Sequence, residues 1–472
     1  MLDQIISKAE KANSGTNYNI SDRIDGVEIT ALSFDSRTVK SGDLFFCIPG
    51  EQHDGHDFAP IAAAAGAAAF VVERRLEIPN LQIIVPDVRE AMGYISCAYF
   101  EFPSKEITVI GITGTNGKTT TTELINGILN LSGRPSQAIG TLTGMLTTPE
   151  APNLQSQIRA MVDSGVSAVV MEVSSHALSQ HRTTGIEFDI GVFTNLTQDH
   201  LDYHINIEEY FETKCMLFAG GKSKSAVINI DDYYGSQLAE RTIIPTVEIS
   251  RREIKIIEER FTGTTIIWNG KKAELQISGR FNIDNVLLAA STCKLLGLGE
   301  KEIISGLERA NPIPGRFEVI SINEDSPMVI VDYSHTPAGI ENVLKSVRHI
   351  NPEIAVSVVF GCGGERDSRK RPEMAKLAER YADRVILTSD NPRSEDPEKI
   401  ISETMSGFRN PEAVTVEADR KAAIETAIKK SPIDGVVVVA GKGDEVVQEI
   451  DGRREPFDDR IVAREILSGV IS

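Results

Sequence analysis

Apolar runs and amphipathic stretches alternate along most of the chain. The middle of the sequence has apolar runs at 107–112, 166–171, 188–193 and 225–230 and amphipathic stretches at 119–131, 153–164 and 285–296. A later block repeats the pattern, with apolar runs at 328–331, 356–360, 384–388 and 435–440. Strands that alternate with helices in this way predict a mostly parallel, doubly wound sheet with helices on both faces. The predicted fold class is therefore α/β.

Two proline-containing segments divide this pattern into three parts. The segment Pro-Ser-Lys at 103–105 precedes the first strand of the central block, and Asn-Pro-Ile-Pro-Gly at 311–315 precedes the later block. Before both, apolar runs at 29–33, 44–48 and 67–72 indicate a smaller α/β unit. Because domain boundaries fall in such segments, we predict three domains, at residues 1–103, 104–312 and 313–472.

The composition limits the classes of partner. Hydrophobic residues make up 41% and charged residues 25% of the chain, which is enough apolar material for a core in each domain. The 49 Lys and Arg residues are outnumbered by 68 Asp and Glu residues, for a net charge of −19. A protein this acidic repels nucleic-acid backbones and anionic membranes, so we expect neither as a partner. An anionic substrate would need a locally basic pocket.

Cysteines and apolar segments indicate the compartment. The five cysteines are scattered and form no Cys-x-x-Cys pair, which is typical of reduced thiols rather than of a disulfide framework or a zinc site. The polar N-terminal residues do not resemble a signal peptide. The longest apolar stretch, 58–72, holds Pro60 and Gly66 and is too short to cross a bilayer, so we interpret it as a buried helix that runs into a strand. These features predict a soluble, cytoplasmic protein.

The strongest chemical motif is Val-Ile-Gly-Ile-Thr-Gly-Thr-Asn-Gly-Lys-Thr-Thr at 109–120. It predicts a strand, a glycine-rich turn and a helix start, an arrangement whose backbone N–H groups bind phosphate. Lys118 can neutralise the β- and γ-phosphates of a nucleotide, and the Thr119 hydroxyl can bind Mg²⁺. The spacing differs from the common Gly-x4-Gly-Lys pattern, because Ile112 stands where the first glycine would be. A glycine-rich turn without a ligand is the alternative.

Acidic and imidazole side chains follow the next strands of the central block. Glu172 comes directly after the run 166–171, and His200 lies shortly after the run 188–193. Side chains just past the carboxyl ends of parallel strands converge on the ligand crevice, where hard oxygen ligands suit Mg²⁺. A surface loop is the alternative for this cluster. Lys214, on the helix that follows, is expected from composition alone to be solvated.

Polar loops follow the apolar runs of the later block. They lie at 331–337, 361–372, 389–397 and 440–445. The second loop carries four cationic residues in an otherwise acidic chain, namely Arg366, Arg369, Lys370 and Arg371. The planar guanidinium matches a carboxylate, so this cluster predicts a clamp for a carboxylate or another anion. A solvated charged loop is the alternative.

These motifs resemble the Mur ligases of peptidoglycan synthesis. The resemblance rests on the later loops and on the segments at 113–120, 172–176, 195–204, 210–214, 279–285 and 313–318. It extends to the first domain through the segments at 35–37, 42–45 and 48–55, which fit the branch that adds a diamino acid to UDP-N-acetylmuramoyl-L-alanyl-D-glutamate. The resemblance implies an ATP-dependent amide ligase that activates a carboxylate as an acyl phosphate. It also implies an N-terminal domain that binds the UDP-linked substrate, a central P-loop-type ATP-binding domain, and a Rossmann-like C-terminal domain that binds the amino acid.

The resemblance further implies roles for individual residues. The ATP phosphates would be held by Gly114, Thr115, Asn116, Gly117, Lys118, Thr119 and Thr120. The remainder of the nucleotide would contact Arg316 and Asp332, and its adenine would contact Asn282 and Asn285. Mg²⁺ would be bound by Thr119, Glu172, His200 and Lys214, whose amine would be carbamylated and act as a carboxylate-like ligand. The implied catalytic set is Lys118, Lys214, Glu172 and His200.

Two sets of residues would bind the small-molecule substrates. The UDP-linked substrate would contact Ser36, Thr147, Thr148, Ser174, Gln180 and Arg182. The diamino acid would contact Arg366, Asp390, Asn391, Pro392, Arg393, Gly441 and Glu445. The expected cofactors are ATP and Mg²⁺. The expected oligomeric state is a monomer.

The acceptor amino acid is the least defined part of the prediction. Asp-Asn-Pro-Arg at 390–393 is typical of ligases that add meso-2,6-diaminopimelate, whose extra carboxylate could pair with Arg393 and Arg366. L-Lysine or another amino acid is the alternative, because Asp444 replaces the usual histidine of the family. The loop from Gly140 to Thr147 is also short, with Leu146 at a position where asparagine is common. Two further alternatives are a folylpolyglutamate synthetase-like ligase, against which the first domain argues, and a non-catalytic nucleotide-binding switch.

Overall fold

The structure is a computed structural model that describes residues 1–14, 16–50, 53–144, 146–322 and 325–469. Over these residues the apolar runs form three main sheets with helices packed on them. Some sequence predictions fall on other residues. Glu51 and Gln52 of the segment 48–55, Met145 of the loop after Gly140, and residues 470–472 of the third predicted domain lie outside the described residues. Within the described part of the chain, no helix is both long enough and apolar enough to span a bilayer.

The first domain is built on a five-stranded sheet in the order β1-β5-β4-β3-β2. Its strands are β1 (Asn19–Ile20), β2 (Leu32–Ser33), β3 (Leu44–Phe46), β4 (Ala69–Val72) and β5 (Leu81–Ile84), and its helices are α1 (Leu2–Ala12), α2 (Ala59–Ala64) and α3 (Val88–Tyr99). Neighbouring strands are parallel, except that β1 is antiparallel to β5. The domain has a core because β3 and β4 are buried at every position and pack against apolar residues of α1 and α3.

The stretch 58–72 is a helix followed by a strand, but the helix is not fully buried as predicted. Ala59 and Ala62 are buried, whereas 56% of Ile61 is exposed. Alanine is compatible with either a buried or an exposed position. An Ala-rich helix therefore carries no polar stripe that would identify its solvent face from the sequence.

The central domain is built on a six-stranded parallel sheet in the order β11-β10-β9-β6-β8-β7. Its strands are β6 (Thr108–Thr113), β7 (Ser136–Ile139), β8 (Ala168–Glu172), β9 (Phe188–Phe193), β10 (Ser223–Asn229) and β11 (Thr246–Ile249). The helices between them are α4 (Lys118–Leu131), α5 (Ala151–Asp163), α6 (Ser175–Ser179), α7 (Ile207–Cys215) and α8 (Tyr233–Arg241). Alternate residues of β6 and β8 enter two apolar clusters, one on each face. The carboxyl ends of β8, β6 and β9 consequently lie side by side.

A three-stranded antiparallel sheet and two helices complete the central domain. They are β12 (Ile254–Arg260), β13 (Gly263–Trp268), β14 (Lys271–Leu275), α9 (Arg280–Leu295) and α10 (Glu300–Arg309). The sequence analysis predicted none of these strands, because β12 has one buried residue, Ile254, among charged ones, β14 alternates exposed charged residues with buried ones, and neither contains a long apolar run. Helix α9 begins at Arg280 instead of the predicted residue 285, and it packs against α4.

The third domain is built on a six-stranded sheet in the order β15-β16-β20-β17-β18-β19, in which only β15 is antiparallel to its neighbour. Its strands are β15 (Glu318–Ile320), β16 (Met328–Asp332), β17 (Val356–Phe360), β18 (Arg384–Leu387), β19 (Thr415–Val416) and β20 (Val436–Ala440), and a hairpin adds β21 (Val447–Ile450) and β22 (Arg453–Pro456). Its helices are α11 (Pro337–Ile350), α12 (Lys370–Tyr381), α13 (Pro397–Met405), α14 (Arg420–Lys430) and α15 (Asp459–Leu467).

The central and third domains meet beside the predicted ATP site. Phe281 packs against the apolar cluster of the third domain that contains Phe317, with the two ring centres 6.2 Å apart. The Glu259 carboxylate accepts a hydrogen bond from Arg280 at 2.8 Å and lies 3.2 Å from His349 of α11. These contacts place the start of the third domain next to the beginning of α9. The predicted class, a three-domain α/β protein with mostly parallel sheets, is confirmed, while the boundaries near 103 and 313 stay predictions.

Candidate active site

A cavity of about 350 Å³ lies between the carboxyl ends of the central strands and the third domain. The sequence-predicted residues that line it are Thr115, Asn116, Gly117, Lys118, Thr119, Thr120, Thr147, Thr148, Glu172, Ser174, Arg182, His200, Asn282, Asn285, Arg316, Asp332 and Arg366. Those outside its lining are Ser36, Gly114, Gln180, Lys214, Asp390, Asn391, Pro392, Arg393, Gly441 and Glu445. The fold thus brings most of the predicted nucleotide and metal residues to one place.

The glycine-rich turn after β6 has the geometry of a phosphate loop. Gly117 has φ +86°, and a Cβ at this position would collide with Asn285 Oδ1. The turn is held from the other side by Asn195, whose Oδ1 accepts a hydrogen bond from the Asn116 N–H at 3.0 Å. Helix α4 begins at Lys118, and within the described part of the chain no side chain caps its first turn. The turn is therefore rigid, and the helix start can offer N–H groups to an anion.

Lys118 points back over its own loop. Its Nζ donates to the carbonyl oxygens of Gly114 and Thr115, each at 2.9 Å. Burial lowers the pKa of Lys118, and the nearby carboxylates of Glu172 and Asp199 act in the opposite direction. An anion in the cavity would be a third partner for this ammonium and would stabilise its charged form.

Glu172 is a buried carboxylate at the end of β8. It is 1% exposed, and its Oε1 accepts hydrogen bonds from the Thr119 hydroxyl at 3.0 Å and from the Thr141 N–H at 2.8 Å. Among the described residues, no Lys, Arg or His lies within salt-bridge distance of it. A buried carboxylate without a cationic partner is costly, and a divalent cation in the cavity would supply that partner.

His200 supplies a second unused ligand atom. Its Nδ1 is buried and has no hydrogen-bond partner in the described structure, and its Nε2 lies 3.5 Å from Asp199 Oδ2. Burial holds the pKa of His200 well below its usual value, so the ring is neutral, which is the form that binds metals. No group of three or more His, Cys, Asp or Glu side chains suited to a metal occurs among the described residues. The predicted Mg²⁺ ligands include only two side chains of these four types, Glu172 and His200. Their atoms, together with the Thr119 hydroxyl, line one cavity and fit Mg²⁺.

Lys214 is buried, so the expectation from composition alone, a solvated lysine, is wrong. It is 1% exposed, and its Nζ donates to the Gly114 carbonyl at 2.9 Å and lies 4.6 Å from the centre of the Tyr210 ring. Burial, together with the charge of Lys118, holds its pKa well below the usual value. A lysine on a helix can point toward the sheet instead of the solvent. The amino-acid composition does not show which way the side chain points.

The predicted nucleotide residues support the loop as well as line the cavity. Asn285 Nδ2 donates to Asn282 Oδ1 at 2.9 Å, and Asn282 Nδ2 donates to the Ser278 carbonyl at 2.7 Å. The Arg316 guanidinium lies 4.0 Å from the centre of the Tyr333 ring and donates to the Thr119 hydroxyl at 3.2 Å.

Asp332 fixes the segment that carries Arg316. Its Oδ2 accepts a hydrogen bond from the Phe317 N–H at 2.7 Å, and its Oδ1 accepts one from the Ser334 N–H at 2.9 Å. Burial raises the pKa of Asp332, and these hydrogen bonds act against that effect. Asp332 therefore has a structural role at the end of β16, because it holds the backbone at Phe317 and Ser334.

Five of the six candidates for the UDP-linked substrate belong to one cluster. Thr148 Oγ1 donates to the Glu172 carbonyl at 2.9 Å, and Ser174 N–H donates back to Thr148 Oγ1 at 3.1 Å. Arg182 donates to the Thr148 carbonyl at 2.9 Å and to Gln180 Oε1 at 2.7 Å. Thr147 lines the same side of the cavity. The sixth, Ser36, lies in the first domain between β2 and β3 and is not among the described residues that line the cavity.

The candidates for the amino acid form a second group in the third domain. Lys442, which is fully buried, donates to Asn391 Oδ1 and to Glu445 Oε2, each at 2.9 Å. The Arg393 guanidinium donates to the Gly364 carbonyl. A Cβ built on Gly363 would lie 3.2 Å from Arg393 Nη1 and 3.6 Å from Arg366 Cγ, so the two arginines flank one glycine. The hairpin β21–β22 covers this group through backbone hydrogen bonds with Arg393.

The cationic cluster predicted at 366–371 does not act as one clamp. Arg369 pairs with Asp367 at 2.9 Å, and Lys370 lies 3.4 Å from Asp199. Arg371 is 1% exposed and pairs with Glu395 at 3.1 Å and with Glu403 at 2.5 Å. Arg366 has the loosest of these contacts, with its Nη1 3.7 Å from Asp202 Oδ2, and it is the one cation of the four that lines the cavity. The sequence could not show this because Glu395 and Glu403 are distant along the chain.

Sequence reasoning did not single out several residues that shape the site. They are Thr141, His176, Asp199, Tyr333, Ser334, His335 and Lys442. Most of them stand in loops that the sequence analysis had placed at strand ends, and that position was the available signal. Burial lowers the pKa of His176 to about 4, so this ring is neutral beside the predicted metal site. Asp199 lies within 3.5 Å of His200, His335 and Lys370 and so joins the central and third domains.

A buried ion pair anchors the loops that follow β18 and β20. Breaking it should destabilise the third domain. Arg420 is bonded to Asp459 through Nε at 2.8 Å and Nη2 at 2.7 Å, and it also donates to the carbonyls of Ser389 and Ala440. Asp459→Asn removes the bidentate partner of a buried guanidinium and leaves only the more distant Asp390, whose Oδ2 lies 4.0 Å from Arg420 Nη1, so we expect a loss of about 3–5 kcal/mol in the free energy of unfolding. Urea unfolding measures it, with exposed Asp434→Asn as the control. An Asp459→Asn variant as stable as the control would contradict the expectation.

Comparison with known proteins finds matches along most of the chain. Three family models match it: "Mur ligase family, catalytic domain" over residues 28–100, "Mur ligase middle domain" over 112–293, and "Mur ligase, glutamate ligase domain" over 315–443. A UDP-N-acetylmuramoyl-L-alanyl-D-glutamate–2,6-diaminopimelate ligase of Geobacillus kaustophilus is 43% identical over 93% of this chain and 94% of its own length. The ligase of the same name from Aquifex aeolicus is 41% identical over the same shares.

Solved structures agree with this assignment. A structure of a UDP-N-acetylmuramoyl-L-alanyl-D-glutamate–2,6-diaminopimelate ligase is 30% identical, covers 98% of this chain and 99% of its own, and has a TM-score of 0.66. The MurF ligase of Thermotoga maritima in complex with ADP shares the fold at 18% identity, with coverage of 94% and 98% and a TM-score of 0.66. The order of its domains, the residues around its cavity and these likenesses show that the chain belongs to the Mur ligase family.

Proposed function

We propose that this Mur ligase joins 2,6-diaminopimelate to UDP-N-acetylmuramoyl-L-alanyl-D-glutamate, with ATP as the energy source. The observation that carries the substrates is the 43% identity, over 93% of the chain, to a relative of that name. The family is one of ATP-dependent amide-bond-forming ligases, and the cavity described above supports ATP use. We also place the enzyme in the cytoplasm. Its expected monomeric state stays a prediction.

The first step is the activation of a substrate carboxylate. An oxygen of the glutamyl carboxylate attacks the γ-phosphorus of ATP, the bond from that phosphorus to the ADP oxygen breaks, and an acyl phosphate forms. Lys118 and the N–H groups at the start of α4 stabilise the charge on the phosphates, and Arg316, whose buried Nε has no hydrogen-bond partner among the described residues, can donate to them. No side chain acts as a nucleophile, so the step depends on positioning and electrostatics.

The proposed Mg²⁺ ligands are supported by atoms at the cavity that lack a hydrogen-bond partner within the described structure, such as His200 Nδ1. Thr119, Glu172, His200 and a carbamylated Lys214 would hold Mg²⁺, which would offset the negative charge of the phosphoryl group in transfer. Carbamylation requires an uncharged amine that attacks CO₂ and then loses a proton. The buried Lys214, whose pKa is held far below normal, meets that requirement. A carboxylate-like group is also a better neighbour for Lys118 than a second ammonium.

The second step forms the amide. The neutral amine of the diamino acid attacks the acyl carbon, phosphate leaves with the electrons of the C–O bond, and the nitrogen releases a proton. The network of Asn391, Lys442 and Glu445 would bind the amino acid, together with Asp390, Pro392 and Gly441 of the same loops. Thr147, Thr148, Ser174, Gln180, Arg182 and Ser36 would bind the UDP-linked substrate. Arg366, which lines the cavity and flanks Gly363 with Arg393, stands between the two sets.

The amount of ADP formed should depend on all three substrates. We expect ADP release only when ATP, UDP-N-acetylmuramoyl-L-alanyl-D-glutamate and diaminopimelate are present together, with one amide product per ADP by mass spectrometry. Omission of either co-substrate is the control. ATP hydrolysis without the UDP-linked substrate would indicate a nucleotide switch instead. Product formation with lysine and not with diaminopimelate would reject the proposed acceptor but keep the ligase reaction.

Arg393 is expected to select diaminopimelate over lysine. The two acceptors differ by one carboxylate, and a guanidinium with five N–H donors can bind it while one donor remains on the Gly364 carbonyl. A charge-assisted contact of this kind contributes about 1.5–3 kcal/mol, or roughly tenfold to a hundredfold and more in kcat/KM. Lysine leaves the guanidinium unpaired, which widens the difference. Steady-state kinetics with both acceptors measures the discrimination.

Arg393→Ala should therefore lose most of this preference while the KM values for ATP and the UDP-linked substrate change little. Arg409→Ala is a matched control, because Arg409 is exposed, follows α13 in the chain and is not among the residues that line the cavity. A wild-type enzyme that prefers lysine, or an Arg393→Ala variant with unchanged discrimination, would refute the role of Arg393.

A further inference from the structure

One carboxylate joins the acceptor loops to the nucleotide cavity. Asp444 stands in the loop after β20, between Gly443 and Glu445, and its side chain is 8% exposed. Its Oδ1 lies 3.2 Å from Arg316 Nη2. The same Nη2 donates to the Thr119 hydroxyl at 3.2 Å. Arg316 therefore has a charged partner in the third domain and a hydroxyl partner at the start of α4.

The guanidinium of Arg316 is enclosed as well as paired. One face lies 4.0 Å from the centre of the Tyr333 ring. A Cβ built on Gly443 would be only 2.7 Å from the Gly315 carbonyl oxygen and 2.7 Å from Tyr333 Cβ, so the Asp444 loop approaches as closely as a glycine permits. The slot around the guanidinium is thus formed by the two loops and the ring before any ligand is bound.

Two atoms in this slot remain without hydrogen bonds. Arg316 Nε and Asp444 Oδ1 are buried, and neither makes a hydrogen bond within the described structure. The contact between the two side chains is accordingly a charge contact at 3.2 Å without hydrogen-bond geometry. Arg316 also opposes the protonated form of Lys118 electrostatically. A carboxylate beside Arg316 reduces that repulsion, so both cations can face the same cavity.

We propose that Asp444 is a positioning residue that holds the Arg316 guanidinium against Tyr333, with Nη2 toward Thr119, before ATP binds. A flexible arginine loses side-chain entropy when it binds phosphate, and an arginine that is already held loses less. Asp444 therefore acts on the nucleotide through Arg316 and touches neither ATP nor the amino acid. The inference rests on the proposed ATP site. It adds to that site a residue that would not contact the nucleotide itself.

The test separates nucleotide affinity from acceptor affinity. Asp444→Asn keeps the shape of the side chain and removes its charge, so we expect the Kd for a non-hydrolysable ATP analogue, measured by calorimetry, to rise about tenfold. The KM for ATP should rise by the same factor, whereas the KM for diaminopimelate should stay within about twofold. Asp434→Asn, an exposed aspartate at the start of β20, is the control. Asp444→Ser removes the charge with a smaller side chain and replaces the first variant if that one does not fold.

A double-mutant cycle identifies the route of the effect. Arg316→Lys keeps the positive charge but loses the planar fork, so in that background Asp444→Asn should cause little further loss of analogue affinity. Unchanged affinity in the single variants, a rise in the KM for diaminopimelate instead, or an equal loss in the Arg316→Lys background would overturn the inference. Wild-type protein that binds the analogue but forms no amide would reject the proposed function, and the affinities would still decide the role of Asp444.

Discussion

Lys118→Ala is expected to lower kcat by at least about a thousandfold. In the structure its ammonium lies over the phosphate loop, bonded to two loop carbonyls, inside the cavity that also holds Glu172 and Arg316. The γ-phosphate would lose the cation that follows its charge through the transfer, and no other lysine lines this cavity in the described structure. Because the loss falls on the transition state, kcat should fall much more than ATP affinity.

The measurement is ADP release under saturating substrates, with ATP-analogue binding measured in parallel. Lys301→Ala, at an exposed position on α10, is a matched control for the loss of one positive charge. The loop itself should stay folded, because Asn195 and Asn285 hold it independently of Lys118. Near-normal ADP release by Lys118→Ala would show that this turn does not hold the transferred phosphate.

Lys214→Ala is expected to lose at least about a hundredfold in activity, because it removes a proposed direct ligand of the metal. The alanine removes the proposed carbamate and leaves a space beside the Gly114 carbonyl, in contact with Tyr210. Formate or acetate can enter such a space and replace the missing carboxylate, so added short carboxylates should restore part of the activity. Glu172→Ala should not respond to the same salts in the same way, because Glu172 also bonds Thr119 and Thr141.

The carbamate itself can be observed. Protein equilibrated with ¹³C-bicarbonate should show a carbamate carbon in its NMR spectrum, and the signal should be absent from Lys214→Met, which keeps the side-chain volume. Activity of the wild-type enzyme should fall on removal of CO₂ and return with bicarbonate. An unmodified Lys214 in fully active enzyme, or an active Lys214→Ala variant, would exclude the carbamylated ligand.

The local sequence pattern was sufficient to predict a structural element where that element depends only on its own residues. The motif at 109–120 predicted a strand, a turn and a helix, and β6, the turn at Gly117 and α4 occupy those positions. The apolar runs of the parallel sheets were recognisable because central strands are buried on both faces. The strands β12 and β14 escaped notice because charged residues that face solvent interrupt their apolar positions.

The site was harder to predict where charges find partners far along the chain. Arg371 looked like part of an anion clamp, but Glu395 and Glu403 occupy it. Lys214 looked like a surface lysine, but it is buried beside the loop at Gly114. Asp444 looked like a departure from the family pattern, and the structure places it next to Arg316. In each case the partner is separated in sequence and only the packing of the sheets and domains brings it close.

The sequence by itself determined the α/β class, the glycine-rich turn before α4 and the set of residue types available for the chemistry. These depend on periodicity and on short segments, whose physics is local: burial on both faces of a strand, and N–H groups at a helix start. The tertiary structure alone decided which charges reach the cavity. Glu172 and Arg366 keep their access to the cavity, whereas Arg369, Lys370 and Arg371 are neutralised by carboxylates of the protein. Electrostatic pairing depends on distance in space, and the distances are set only when the domains have packed against each other.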